Sequence, residues 1–396
     1  MGNGGMHTPG IFIQEDSGFG SSVVPVPTGE PAFIGYTRKA ESEQGSLTGI
    51  AAPVASIGEF EALFGASSGD GYGLFQALTS FYANGGGRAW IVSAGPPGAP
   101  AKADFLGALA ALDARPEPAI LLAPDALRLP AEDYYEVARA MIAHCASLGS
   151  RMAILDLHDG DGPEARAPDG LRASLGAFRA GLVDVPQDQR SFAAAYHPWL
   201  VSDEGLVPPS AAIAGIWTMT DNSFGVSKAP ANVSVSGAQD VAISIDGATQ
   251  EGMNAPLDGL AVNAIRSFPG KGILVWGART LDGNSADFRY IPVRRTSIML
   301  SQSIRYAVSM YAFEPNDAHT WVSVKELITR FLTAQWQQGA ISGQRPSDAF
   351  HVQCGLGETM TGEDVLAGRM LVTVLVALLR PAEFVVLTFA QDMQGS

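Results

Sequence analysis

The chain has 396 residues, enough for two or three domains around a substantial core. Hydrophobic residues make up 46% and charged residues only 16%, which excludes a disordered chain and fits extensive burial, part of it in interfaces. The net charge of −15 is one-sided: residues 1–270 carry 14 Lys and Arg against 29 Asp and Glu, while residues 271–396 carry 11 of each, and no basic patch suited to nucleic acid appears.

In chain order, "TPGIFIQE" at 8–15 holds a short apolar strand, Ile11 to Gln14, followed by a Gly/Ser/Pro linker at 17–30. From residue 32, short β-branched or aromatic runs bounded by Gly or Pro alternate with helical patterns. The strands are expected at 32–37, 88–94, 119–124, 151–157 and 191–201. The clearest helix is "PAEDYYEVARAMIAHCASLG", with Pro130 early, acids in its first turn and Gly149 just past its end. Such alternation predicts a mostly parallel α/β sheet covered by helices.

After residue 207 the texture changes. "PPSAAIAGIWTMTDNSFG" predicts a helix from Pro209–Ser210 to a Gly stop, and 260–278 predicts two strands turning at Pro269–Gly270. The polar stretch 281–288 is the best internal boundary. Two amphipathic helices follow, one with the stripe Leu300, Ile304, Ala307, Val308 and Tyr311, the other running from Trp321 to Trp336 and stopped by Gly339. Cys354 alternates with Phe350 and Val352 as in a strand. The runs "MLVTVLVALL" at 370–379 and "RPAEFVVLTFAQ" at 380–391 are apolar on both faces, the pattern of strands buried inside a sheet.

Motifs for chemistry are few. Gly65 to Gly69 fits the G-x-S-x-G expression around Ser67, but a nucleophile elbow needs a strand before it and a helix after it, and the preceding residues have helical spacing. The glycine-rich stretches carry neither a Walker lysine nor dinucleotide spacing. No two of the six histidines are spaced as a zinc pair, and Asp156, Asp159 and Asp161 lack a cation-loop spacing. No catalytic residue, cofactor or metal is expected. Cys145 and Cys354 are read as small buried hydrophobes. The N-terminus has no signal-peptide pattern, and no apolar run approaches the ~20 residues of a membrane span. Synthesis and folding in the cytoplasm, with no direct membrane insertion, are therefore expected.

Several stretches, in order along nearly the whole chain, resemble contractile tail sheath proteins of phages, phage-tail-like bacteriocins and extracellular contractile injection systems. They include "TPGIFIQE", "AFIGYTRKA", "FGASSGDGYGLFQALTSFYANGGGRAWIVSA", "IRSFPGKGILVWGARTL", "FRYIPVRRTSIMLSQSIRYAVSMYAFEPND" and "RPAEFVVLTF". The resemblance implies a subunit that polymerises with itself as six-fold rings wound around an inner tube protein, with baseplate and terminal cap proteins at the ends. It also implies terminal arms that add strands to neighbouring subunits, and contraction that drives the tube through a target envelope.

Joined to the reading of the residues, it gives a mixed α/β chain with four parts. These are an N-terminal arm and linker (1–24), an outer α/β domain (25–285), an inner C-terminal domain (286–380) and a C-terminal arm (381–396). Ile11, Phe12 and Ile13, with Phe384, Val385, Val386, Leu387 and Phe389, are the expected strand-exchange residues. Arg294, Arg295 and Arg305 are expected to face the tube, Arg294 and Arg305 from one helix face, the alternative being a solvated face or salt bridges within the sheath. The alternatives are a hydrolase-like enzyme using Ser67 and a non-contractile lattice protein. The final location is a phage tail or an injection particle, and the lack of large insertions fits a compact bacteriocin or injection-system sheath.

Overall fold

The structure, a computed structural model, describes residues 22–66, 73–160, 162–164, 167, 169–203 and 205–381. It begins with β1 (Pro31–Gly35), β2 (Ala52–Val54), α1 (Ile57–Phe64), α2 (Leu74–Ala83) and β3 (Ala89–Ser93). Next come α3 (Lys102–Ala110), β4 (Ile120–Leu122), α4 (Ala131–Leu148), β5 (Met152–Asp156), α5 (Gly170–Leu182) and β6 (Ala193–His197). The helix read most clearly from sequence, α4, ends as expected: Gly149 adopts a left-handed φ of 61° and its N–H closes on the Cys145 carbonyl.

Five parallel strands lie in the order β3-β1-β4-β5-β6, the 2-1-3-4-5 winding of a doubly wound sheet. Their side chains alternate between two cores. Ala32, Ile34, Trp90, Val92, Leu121 and Leu155 meet α3, α4 and α5. Phe33, Ile91, Ile120, Leu122 and Ile154 meet α1, α2 and α6 (Ser210–Phe224). Both faces are covered, which is why these strands read as continuous apolar runs.

The sheet extends past β6 through β8 (Asn263–Phe268), β9 (Gly272–Val275) and the two-residue β7 (Val233–Ser234). At the opposite edge, β2 is antiparallel and carries Pro53. Both edges are thus blunted, one by shortness and one by a residue that cannot donate to a ladder.

The crest where α/β enzymes commonly bind ligands is closed over. Asp156 accepts the Ser210 N–H at 2.9 Å, and Asp125 accepts the Tyr36 N–H at 2.8 Å; both side chains are buried.

The linker expected at 17–30 is described from residue 22, and from there it is not a free leash. Val23 is buried in a third core, and the Val26 N–H donates to Ser303 Oγ at 3.0 Å. That third core lies between α7 (Ile291–Ser309), α8 (Ala318–Gln337) and a two-stranded antiparallel sheet, β10 (Phe350–Gln353) with β11 (Thr373–Val376). α7 links the cores: Ile291 and Ile298 belong to the second, Met299, Leu300 and Ala307 to the third.

Candidate assembly interface

The β10–β11 sheet is unlike the large one. Its ladder pairs His351 with Leu375 and Val352 with Val374, and the Ala377 N–H donates to the Ala349 carbonyl at 2.8 Å. That bond fixes the parity of the ladder. His351/Leu375 and Gln353/Thr373 are the pairs that exchange bonds, while Val374 and Val376 turn their N–H and C=O groups to the outer edge of β11. Among the described residues no other strand lies against that edge.

The 370–379 run is not the fully buried strand its composition suggested. Met370, Val372, Val374, Val376 and Leu378 pack on the third core, but Leu371, Leu375 and Leu379 on the opposite face are 43%, 58% and 41% exposed. Apolar residues on both faces here mark a strand with one uncovered face, a distinction that burial within one chain does not make. The connection between the strands is well held. Glu358 accepts the Cys354 N–H at 3.1 Å and the Lys325 ammonium at 3.0 Å. Thr361 and Asp364 form a reciprocal capping box, which with Arg369 pushes the Asp364 carboxyl down to about 2.

The three arginines have different fates. Arg295 is buried and pairs both carboxylate oxygens of Asp221, at 2.8 and 2.5 Å, with its guanidinium 4.5 Å from the Trp217 ring centroid. Arg294 lies between Phe192 and Phe288, 4.3 and 3.5 Å from their ring centroids, and bonds Ser191 Oγ. Burial lowers its guanidinium to about 10. Both are engaged inside the subunit, so the shared outward face expected for Arg294 and Arg305 does not form. The eleven-residue spacing gives the same helix angle, but only the N-terminal end of α7 lies against Phe192 and Phe288. Arg305 is exposed and makes no hydrogen bond or ion pair among the described residues, beside exposed Tyr306. Ile11, Phe12, Ile13, Phe384, Val385, Val386, Leu387 and Phe389 lie outside the described residues, as does Ser67. Sequence reasoning missed Asp221, whose only local signal was an acid on the last turns of an otherwise uncharged helix.

Among the described residues, then, the fold combines a large sheet blunted at both edges with a small sheet open at one edge. The model of the phage tail sheath C-terminal domain matches residues 284–392. Over 98% of its length the chain is similar to the PVC sheath of an extracellular contractile injection system in the contracted state, covering 99% of that chain at 32% identity and a TM-score of 0.75. It is likewise similar to the contracted helical sheath of the anti-feeding prophage, with 98% and 100% of the two chains covered, 30% identity and a TM-score of 0.76. The sheath tail protein Lin1278 of Listeria innocua shares the fold alone: 9% identity, TM-score 0.62, with 90% and 97% covered. Among curated proteins none matches. The chain belongs to the contractile sheath family and is a subunit of a contractile sheath.

Proposed function

We propose that neighbouring subunits are joined by β-augmentation on the outer edge of β11, the incoming strands being the terminal ribbons at Ile11–Ile13 and Phe384–Phe389 of other copies. The open edge carries this reading. Among the described residues no strand takes up the outward backbone groups of Val374 and Val376, and the exposed Leu371, Leu375 and Leu379 offer side chains for the cross-strand neighbours of an added strand. Donated strands of this kind make head-to-tail contacts that need not close, which yields a helical filament. Burying each Phe, Val or Leu contributes ~1.5–3 kcal/mol before ordering costs.

In this reading the polymer is six-fold and winds on an inner tube, with baseplate and cap proteins at its ends. Residues 25–285 form the outer domain and 286–380 the inner one. Arg305, the one outward-facing member of its trio, meets acidic groups of the tube. The chain acts mechanically and not as an enzyme, and it is assembled in the cytoplasm before the particle leaves.

Val374→Pro tests the edge, because it deletes an N–H that the β10 ladder does not use. The expected outcome is a folded subunit with a modestly lower melting temperature, since Val374 also packs on the third core, and no sheath by electron microscopy. A chain ending at residue 381 should behave alike. Sheaths of normal length from both variants would remove the proposal.

A further inference from the structure

We infer that Arg295, Asp221 and Thr28 form a buried clip that fixes residues 23–30, the root of the N-terminal arm, to α6 and α7 ahead of β1. Four bonds hold the root. Thr28 Oγ1 donates to Asp221 Oδ2 at 2.5 Å, and the Thr28 carbonyl accepts from Arg295 Nη2 at 2.9 Å. The Gly29 carbonyl accepts from Thr218 Oγ1 at 2.7 Å, and the Val26 N–H donates to Ser303 Oγ at 3.0 Å. The ion pair at the centre is almost sealed from water, with side chains 4% and 3% exposed.

This arrangement does more than pair two charges. Arg295 binds Asp221 with both terminal nitrogens and still has an N–H for the Thr28 carbonyl, a geometry that a planar guanidinium supplies and an ammonium does not. Asp221 in turn accepts from Thr28 as well as from Arg295, so the arm root completes the hydrogen bonding of a buried pair. Releasing the root leaves that pair short of two partners, and the cost of an incompletely bonded buried charge resists the release.

The clip also sits where the molecule is joined. Asp221 is on α6, Arg295 and Ser303 are on α7, and Val23 reaches the third core. A pull on the arm is therefore shared between the large sheet's helical layer and the α7–α8 layer. This mechanical consequence rests on the sheath reading, whereas the clip itself does not.

Hydrogen exchange on the full chain, kept unpolymerised, tests the clip whatever the fate of the sheath reading. Thr28→Val and Ser303→Ala keep the shape of the site and the ion pair. In the double variant, exchange of the Val26 amide, which Ser303 Oγ holds in the wild type, should quicken about ten-fold or more while β1 and α6 stay as in the wild type. Unchanged exchange at Val26, or a wild-type Val26 amide that already exchanges without protection, would overturn the clip. Asp221→Asn should loosen the segment further. Should that variant fail to fold, the double variant still decides.

Discussion

Arg294 and Arg295 are adjacent in sequence, yet one stacks between two aromatic rings and the other closes a buried ion pair. Arg305, on the same helix, has neither kind of partner among the described residues. Arg294→Ala should therefore destabilise the subunit by about 2 kcal/mol, through lost stacking and a vacated slot between the rings. Arg305→Ala should leave the denaturation midpoint unmoved and weaken only assembly on the tube; equal losses of stability in the two variants would contradict this. Buried acids give a second residue-scale expectation. Burial raises Asp156 from 3.8 to about 7 and Asp125 to about 6, so the folded chain holds protons that the unfolded chain releases. The contribution of Asp156 to stability is accordingly largest at low pH and falls as pH rises from about 4 through 7, by about 2–3 kcal/mol between pH 5 and 8. His197 is shifted the other way, to about 4, and its contribution falls as pH drops below 6.5. Asp156→Asn should flatten the decline from pH 5 to pH 8 in urea midpoints of the unpolymerised chain. An unaltered slope would mean that Asp156 is already ionised in the fold.

At the scale of elements, α6 and α2 approach closely because Gly215 has no side chain. A Cβ there would lie 2.4 Å from the Phe81 carbonyl oxygen and 2.9 Å from Asn84 Cβ. Gly215→Ala raises helix propensity but should cost about 1–3 kcal/mol, since the obstacle is backbone and cannot turn aside. Gly176 in α5 is the control: nothing lies within 4 Å of its Cβ position, and Ala should stabilise by about 0.5–1 kcal/mol. Denaturant midpoints that move the same way in both variants would count against the packing argument. Strand periodicity was legible for the large sheet because each parallel strand faces two helical layers. It misled at 370–379, where Leu371, Leu375 and Leu379 face outward. Apolar alternation records that a face is covered, but not by which chain.

For the whole molecule, the acidic excess falls within residues 1–270, and the later residues are balanced. Subunits packed through the balanced part avoid most of that like-charge repulsion. If packing energy drives contraction, the final packing must be better than the initial packing. The contracted sheath is therefore expected to bury more surface per subunit than the extended one, measured by electron microscopy of both states. Less burial after contraction would exclude packing energy as the driver. An extended state that stores such energy would be held by a kinetic barrier until triggered.

Local pattern alone fixed the alternating α/β class, both termini of α4, the C-terminal stop of α8, the β8–β9 turn and the burial of Cys145 and Cys354, because each depends on neighbours a few residues away. Tertiary structure decided the 2-1-3-4-5 winding, the blunted and open edges, and the pairing of Arg295 with Asp221 and Thr28. Those contacts join residues 74 and 267 positions apart, and no periodicity carries information over such a distance.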